Sequence, residues 1–101
     1  MVIYNVTTKV DWSIADEWVQ WMLDIHIPEV IGTGYFEKHQ FVQLLEVEQE
    51  DGPTYAVQYF AASEQHYEHY LQQYAAAFSK ESINKWGKKF IAFKSLMRVI
   101  G

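Results

Sequence analysis

Two alternating stretches and two stripes at helical spacing organise the chain. Residues 2–10, Val-Ile-Tyr-Asn-Val-Thr-Thr-Lys-Val, are β-branched or aromatic at most positions and predict a first strand, ended by Asp11 and Trp12. Ser13 then has the form of a helix N-cap, with Asp16 three residues on and Glu17 adding negative charge to the first turn. Ile14, Trp18, Trp21, Met22 and Ile25 make one apolar stripe. Pro28, which has no N–H and restricts Ile27, is expected to end or bend this helix, and Gly32 and Gly34 to supply a turn. Residues 35–48 predict a second strand, the polar run Gln49-Glu50-Asp51-Gly52-Pro53 a hairpin turn, and Thr54 to Ala61 a third strand.

Ser63 caps a second helix, whose predicted buried stripe is Tyr67, Tyr70, Leu71, Tyr74 and Phe78. A break is expected near Ser79–Ser82, then resumption to Trp86 and a stop at Gly87. Residues 88–100 form the last strand, with Ile91, Phe93, Met97 and Val99 on one face and Lys94 and Arg98 on the other.

Strand, helix, hairpin, helix, strand is the βαββαβ order of ferredoxin-like α+β folds: a four-stranded antiparallel sheet with two helices on one face. Residues 1–101 make a single such domain, since a chain of this length buries about two-thirds of its unfolded surface and supports one core. If Tyr4, Val6, Tyr55, Val57, Tyr59, Ile91, Phe93 and Met97 meet the helices, the other face holds Ile3, Asn5, Thr7, Ala56, Gln58, Phe60, Phe90, Ala92, Lys94 and Leu96. That second set is too apolar to lie in water and too polar for a dry core. A two-fold homodimer, sheet on sheet and enclosing a partly polar cavity, satisfies both limits.

Composition narrows the chemistry. Aromatic residues are 17% of the chain, a heavy load for one small core, which again points to surface buried against a partner. No cysteine is present, so disulfides, thiolate catalysis and cysteine metal sites are excluded. The net charge of −5 argues against nucleic acid; Lys80, Lys85, Lys88 and Lys89 are better read as cations favoured at a helix C-terminus. No run approaches a membrane span, and the N-terminus lacks the basic start and cleavage site of a signal peptide, so the expected location is the cytoplasm, with no membrane partner.

The polar residues that stand out are few. His26 ends the first helix at the flank of its stripe, where it could act as general base or ligand donor, or simply cap the last carbonyls. Asn5 and Gln58 are mid-strand amides, suited either to orienting a bound molecule or to pairing across a dimer seam. Lys94 and Arg98 could attract an acidic ligand or guard an edge strand. His66 and His69 stand three apart on a helix, but no third ligand is apparent and they read as a solvated face; no metal site is expected. Phosphate loops, a nucleophile elbow and the zinc-protease helix are absent, and no cofactor is implied.

Ile3-Tyr4-Asn5-Val6-Thr7, Trp18-x-x-Trp21-Met22-x-x-x-His26-Ile27-Pro28-Glu29-Val30, Thr33-Gly34-x-Phe36, Tyr55-x-x-Gln58-Tyr59 and Lys89-Phe90-x-Ala92-Phe93 together resemble a family of short bacterial proteins known only as a domain of unknown function. The resemblance covers essentially the whole chain, brings no activity, and implies the fold of the dimeric α+β barrels. That superfamily includes cofactor-independent monooxygenases, haem-degrading oxygenases, muconolactone-type isomerases and effector-binding domains. Some place an Asn on the first strand in the cavity, a position that Asn5 matches by analogy only. Three functions therefore stay open. One is a homodimer holding a small molecule near Asn5, His26, Gln58 and Lys94. The second is an oxygenase or isomerase of a small aromatic or enolisable substrate with His26 as base. The third is a purely structural or interaction protein.

Overall fold

A computed structural model describes residues 1–101. The strands are β1 (Val2–Val10), β2 (Lys38–Gln43), β3 (Thr54–Ala61) and β4 (Phe90–Arg98), in one antiparallel sheet of order β2-β3-β1-β4. The helices are α1 (Ala15–Trp21) and α2 (Ile27–Gly32) between β1 and β2, and α3 (Glu64–Tyr70) and α4 (Ala76–Trp86) between β3 and β4. A π-helical turn, Met22–His26, joins α1 to α2, and another, Leu71–Ala75, joins α3 to α4, so each pair forms one continuous helix. The topology is ferredoxin-like, with both helices on one face, and no helix is long and apolar enough to cross a membrane.

Local departures from the expected pattern have identifiable causes. The first cap is Asp11, not Ser13: its carboxylate accepts from the Ser13 N–H at 2.8 Å and opens a 3₁₀ turn, Trp12–Ile14, ahead of α1. Ser13 instead accepts from Lys89 Nζ at 3.2 Å. Pro28 does not end the helix. It sits in the first turn of α2, just after the wide π turn, where a missing N–H is best tolerated. The second helix is unbroken at Ser79–Ser82, and its irregularity is the π turn one step earlier. Ser63 caps that helix and Gly87, at φ 63°, stops it as expected. Strand β2, Lys38–Gln43, is shorter than 35–48, and the last strand, Phe90–Arg98, is shorter than 88–100, each trimmed at both ends.

The core is aromatic. Tyr4, the third residue of β1, lies 5.2–6.1 Å from the rings of Phe36, Tyr59, Tyr67 and Tyr70. Trp18 packs on Phe41 and Tyr55, and Trp21 meets Trp86 edge-on at 5.8 Å, tying the two helices together. Leu71 is exposed rather than part of the second stripe, because the π turn begins at that residue.

Register assigns the faces. Val2, Tyr4, Val6, Thr8 and Val10 point toward the helices, with Tyr55, Val57, Tyr59 and Ala61 opposite them on β3. The pairs Tyr4–Leu96, Val6–Lys94, Thr8–Ala92 and Val10–Phe90 place the even positions of β4 on that same face. Strand β4 is thus inverted relative to the sequence reading: Ile91, Phe93 and Met97 belong to the open face, while Lys94 is on the helix-facing side, where it remains exposed. The helix layer covers β1 and β3 but leaves β4 largely bare, and even Leu96, on the covered side, is 42% exposed.

Gly52 fixes the loop before β3. A Cβ there would stand 1.7 Å from the Val10 carbonyl oxygen, which is backbone and cannot yield. The adjoining Pro53 carbonyl accepts from Val10 N–H at 3.0 Å, and the Trp12 indole donates to the Gln49 carbonyl at 2.9 Å, so the loop is locked to the end of β1. Gly52→Ala is expected to lower stability by about 1–3 kcal/mol in urea unfolding, the usual range for overpacking. An unchanged midpoint would show that the close approach is not maintained in solution.

Candidate functional site

Because the helices stop short of β4, a cavity of about 580 Å³ opens between them and the sheet. Its floor is β1 and β4, from Tyr4, Val6 and Thr8 across to Phe90, Ala92 and Lys94. The first helix supplies Trp18, Trp21, Met22 and His26; the second supplies Tyr70, Ala75, Phe78 and Ser82. Both π turns border it, since Met22 and His26 bound the first and Ala75 ends the second. A π turn widens the helix and re-aims the side chains beyond it, which is why such turns recur at binding sites.

His26 is the most unusual group of the wall. Its ring stacks on Trp21 at 5.0 Å and 26°, and meets the Phe78 ring edge-on at 5.8 Å. It does not cap the helix: Nδ1 is buried without a hydrogen-bond partner. Burial pushes its pKa from 6.5 down to about 4, and the Lys94 ammonium adds to the effect, so the imidazole is neutral at pH 7. The Tyr59 hydroxyl, also on this wall, is buried and unpartnered, and burial raises its pKa far above the usual phenol value. Burial lifts Tyr4 to about 12 as well. Neutral polar atoms sealed into an aromatic wall without partners are uncommon in folded proteins.

The structure brings together two of the four residues singled out from the sequence and separates the other two. His26 and Lys94 share the cavity. Asn5 and Gln58 face each other across β1 and β3 on the open face of the sheet, away from it. There the Asn5 amide donates to Thr7 Oγ1 at 3.0 Å and to Ser95 Oγ at 3.4 Å, while Gln58 lies beside Gln40 of β2. Arg98 pairs with Glu64 at the start of α3. His66 is held by its own cap, with Nδ1 2.7 Å from Ser63 Oγ, and His69 packs edge-on against Tyr35. Sequence reasoning missed Tyr59 and Lys88 as wall residues. Tyr59 reads as ordinary core, and nothing in a lysine after a helix stop tells whether it turns inward.

The neutral histidine makes stability depend on pH. Its folded pKa lies below the 6.5 of an unfolded chain, so between these values the unfolded state binds more protons. Above pH 6.5 the group has no effect; as pH falls from 6.5 through 4, stability drops by about 3 kcal/mol. His26→Phe removes this contribution. Urea titrations of both proteins at pH 7 and pH 4 are expected to show the wild type losing more stability than the variant, and equal losses would mean the ring is not buried neutral.

The likeness to known proteins agrees with the geometry. A dimeric ferredoxin-like protein from an uncultured marine organism superposes with a TM-score of 0.74 at 8% identity, covering 100% of this chain and 96% of its own. The heme-degrader MhuD from Mycobacterium tuberculosis, with two hemes bound in its active site, gives 0.67 at 13% identity, covering 100% and 97%. SnoaB, a cofactor-independent oxygenase from Streptomyces nogalater, gives 0.69 at 10% identity, covering 99% and 94%. At such identities the likeness establishes the ferredoxin-like fold and nothing of the chemistry. No curated protein matches by sequence. Residues 1–100 match a family through almost their whole length, and the chain belongs to it: the domain of unknown function DUF4286.

Proposed function

We propose that this domain is a homodimer that binds a small, largely apolar molecule in the cavity between its helices and its sheet. The observation that carries the reading is the aromatic-walled cavity itself, with His26 and Lys94 as polar groups on its wall. A cavity of about 580 Å³ lies within the range of drug-sized ligand pockets. His26 and Lys94 are assigned to the ligand.

The open face of the sheet supports the dimer. Phe93 is 68% and Ile91 61% exposed there, flanked by half-buried Ile3 and Phe60, which is more apolar surface than a lone chain ordinarily leaves wet. Similar folds are described as dimeric. Asn5 and Gln58 lie within this face, so their amides are assigned to the seam between copies, where they would give a flat apolar contact its register.

A second reading is favoured by one observation: His26 reaches the cavity as a neutral base. An oxygenase or isomerase of a small aromatic or enolisable substrate would use it to take a proton. An imidazole with a pKa near 4 is a weak base, so the substrate would need an unusually acidic proton. Binding without chemistry makes no such demand and stands first.

Sedimentation equilibrium is expected to give the mass of two chains, and Phe93→Asp that of one. In thermal-shift screening against a metabolite library, a ligand at about 100 times its Kd adds about 2.7 kcal/mol of stability. Ala92→Trp, which fills the cavity floor with a residue that strands favour, is expected to abolish the shift. A monomeric wild type would sink the dimer, and a screen without a single stabilising compound would sink the binding role.

A further inference from the structure

The charges of the cavity define what kind of molecule it accepts. The chain carries 13 acidic and 8 basic residues, yet the wall of the cavity holds Lys88 and Lys94 and no carboxylate. Chance would have favoured the opposite sign. Lys94 lies opposite Val6, on the helix-facing side of the sheet, and takes part in neither ion pair of the molecule, Lys9–Glu48 or Arg98–Glu64. Two residues along the same face of β4, Leu96 separates it from Arg98, which does have its carboxylate. Lys94 is an exposed ammonium at the mouth of an apolar cavity with no carboxylate of the protein paired to it, and an anionic group of a ligand can supply that charge-assisted partner.

The uncharged donors agree in sign. An orphaned buried N–H is costlier than an orphaned lone pair, so the sealed, partnerless Nδ1 of His26 is best left unprotonated. The neutral ring then carries its proton on Nε2, the nitrogen that burial does not seal, and offers a donor to the cavity. His26 is close enough to Lys94 for the ammonium to act on its titration, and Phe78, edge-on to His26 at 5.8 Å, and Phe90 add apolar surface to the same cavity.

Resting on the small-molecule reading above, we propose that the ligand is an aromatic or conjugated carboxylate, with its carboxylate at Lys94 and His26 Nε2 and its ring system against Phe78 and Phe90. Lys88 stands at the same wall and adds to the attraction without being required to touch the ligand.

A matched pair of compounds tests this. Calorimetric titration of the wild-type protein is expected to show 2-naphthoate binding about tenfold or more tighter than 2-naphthalenemethanol, which has the same ring and no charge, as a charge-assisted contact requires. Lys94→Met is expected to erase the preference while leaving the affinity for the alcohol unchanged. Lys80→Met, which removes a cation outside the cavity, is expected to keep the preference. Circular dichroism melts check that both variants fold, and Lys94→Gln serves should Lys94→Met not. Equal binding of acid and alcohol, or a preference that survives loss of Lys94, overturns the anionic ligand and leaves the cavity reading standing. Binding of neither compound up to its solubility overturns both.

Discussion

The helix layer is narrower than the sheet it covers, leaving both edge strands, β2 and β4, largely exposed, and most of what distinguishes this molecule follows from the shortfall at β4. Strands β1 and β3 are sealed beneath Trp18, Tyr70 and their neighbours, whereas β4 is exposed along nearly its whole length. A strand in the ladder but outside the core has its backbone satisfied on one edge and its side chains free on both faces. On the helix side those side chains floor a cavity. On the other they add Ile91 and Phe93 to an apolar surface. The cavity and the apolar face proposed for the dimer are thus opposite sides of one strand, and a change in the tilt or seating of β4 would be felt in the cavity through Lys94 and Ala92.

The aromatic core is the second consequence of small size. With one core to build, the chain fills it with rings that each remove a large apolar area from water and meet at stacked or edge-on angles. The interlocked set around Tyr4 runs without a gap into Tyr70 and Phe78, and from Phe78 to His26. The rigid part of the protein is therefore continuous with the wall of the site, which favours a pre-shaped pocket over one formed on binding. The cost is paid in phenols: rings long enough to fill the core carry hydroxyls, and that of Tyr59 finds nothing to bond.

Much of this was legible in the residues. The β-branched run of β1, the Ser63 cap, the Gly87 stop and the alternation of β3 each have a local cause, and local causes leave local signatures. The face of β4 did not. Alternation says which residues share a side, not which side faces inward, and the rule that the apolar set turns to the helices fails when the outer face is itself apolar. The pattern therefore groups Lys94 with Asn5 and Gln58, whereas the register puts it on the side of His26. The π turns had no signature at all apart from Pro28. Asp11 rather than Ser13 took the cap because the strand ends directly into a 3₁₀ turn, a junction that propensity alone does not order.

The π turn at Met22–His26 also sets the phase of the first helix. In an α-helix each residue advances about 100° around the axis, and a π turn behaves as a single residue slipped into that screw. His26 looks into the cavity because of the count of residues before it, and no hydrogen bond holds it there. Deleting one residue from the turn would restore the regular screw and swing everything beyond it by about a quarter of a rotation, sending the imidazole elsewhere while the apolar stripe upstream stayed seated. In relatives, a gap of one residue at this point would therefore mark a chain with the same fold and a different pocket.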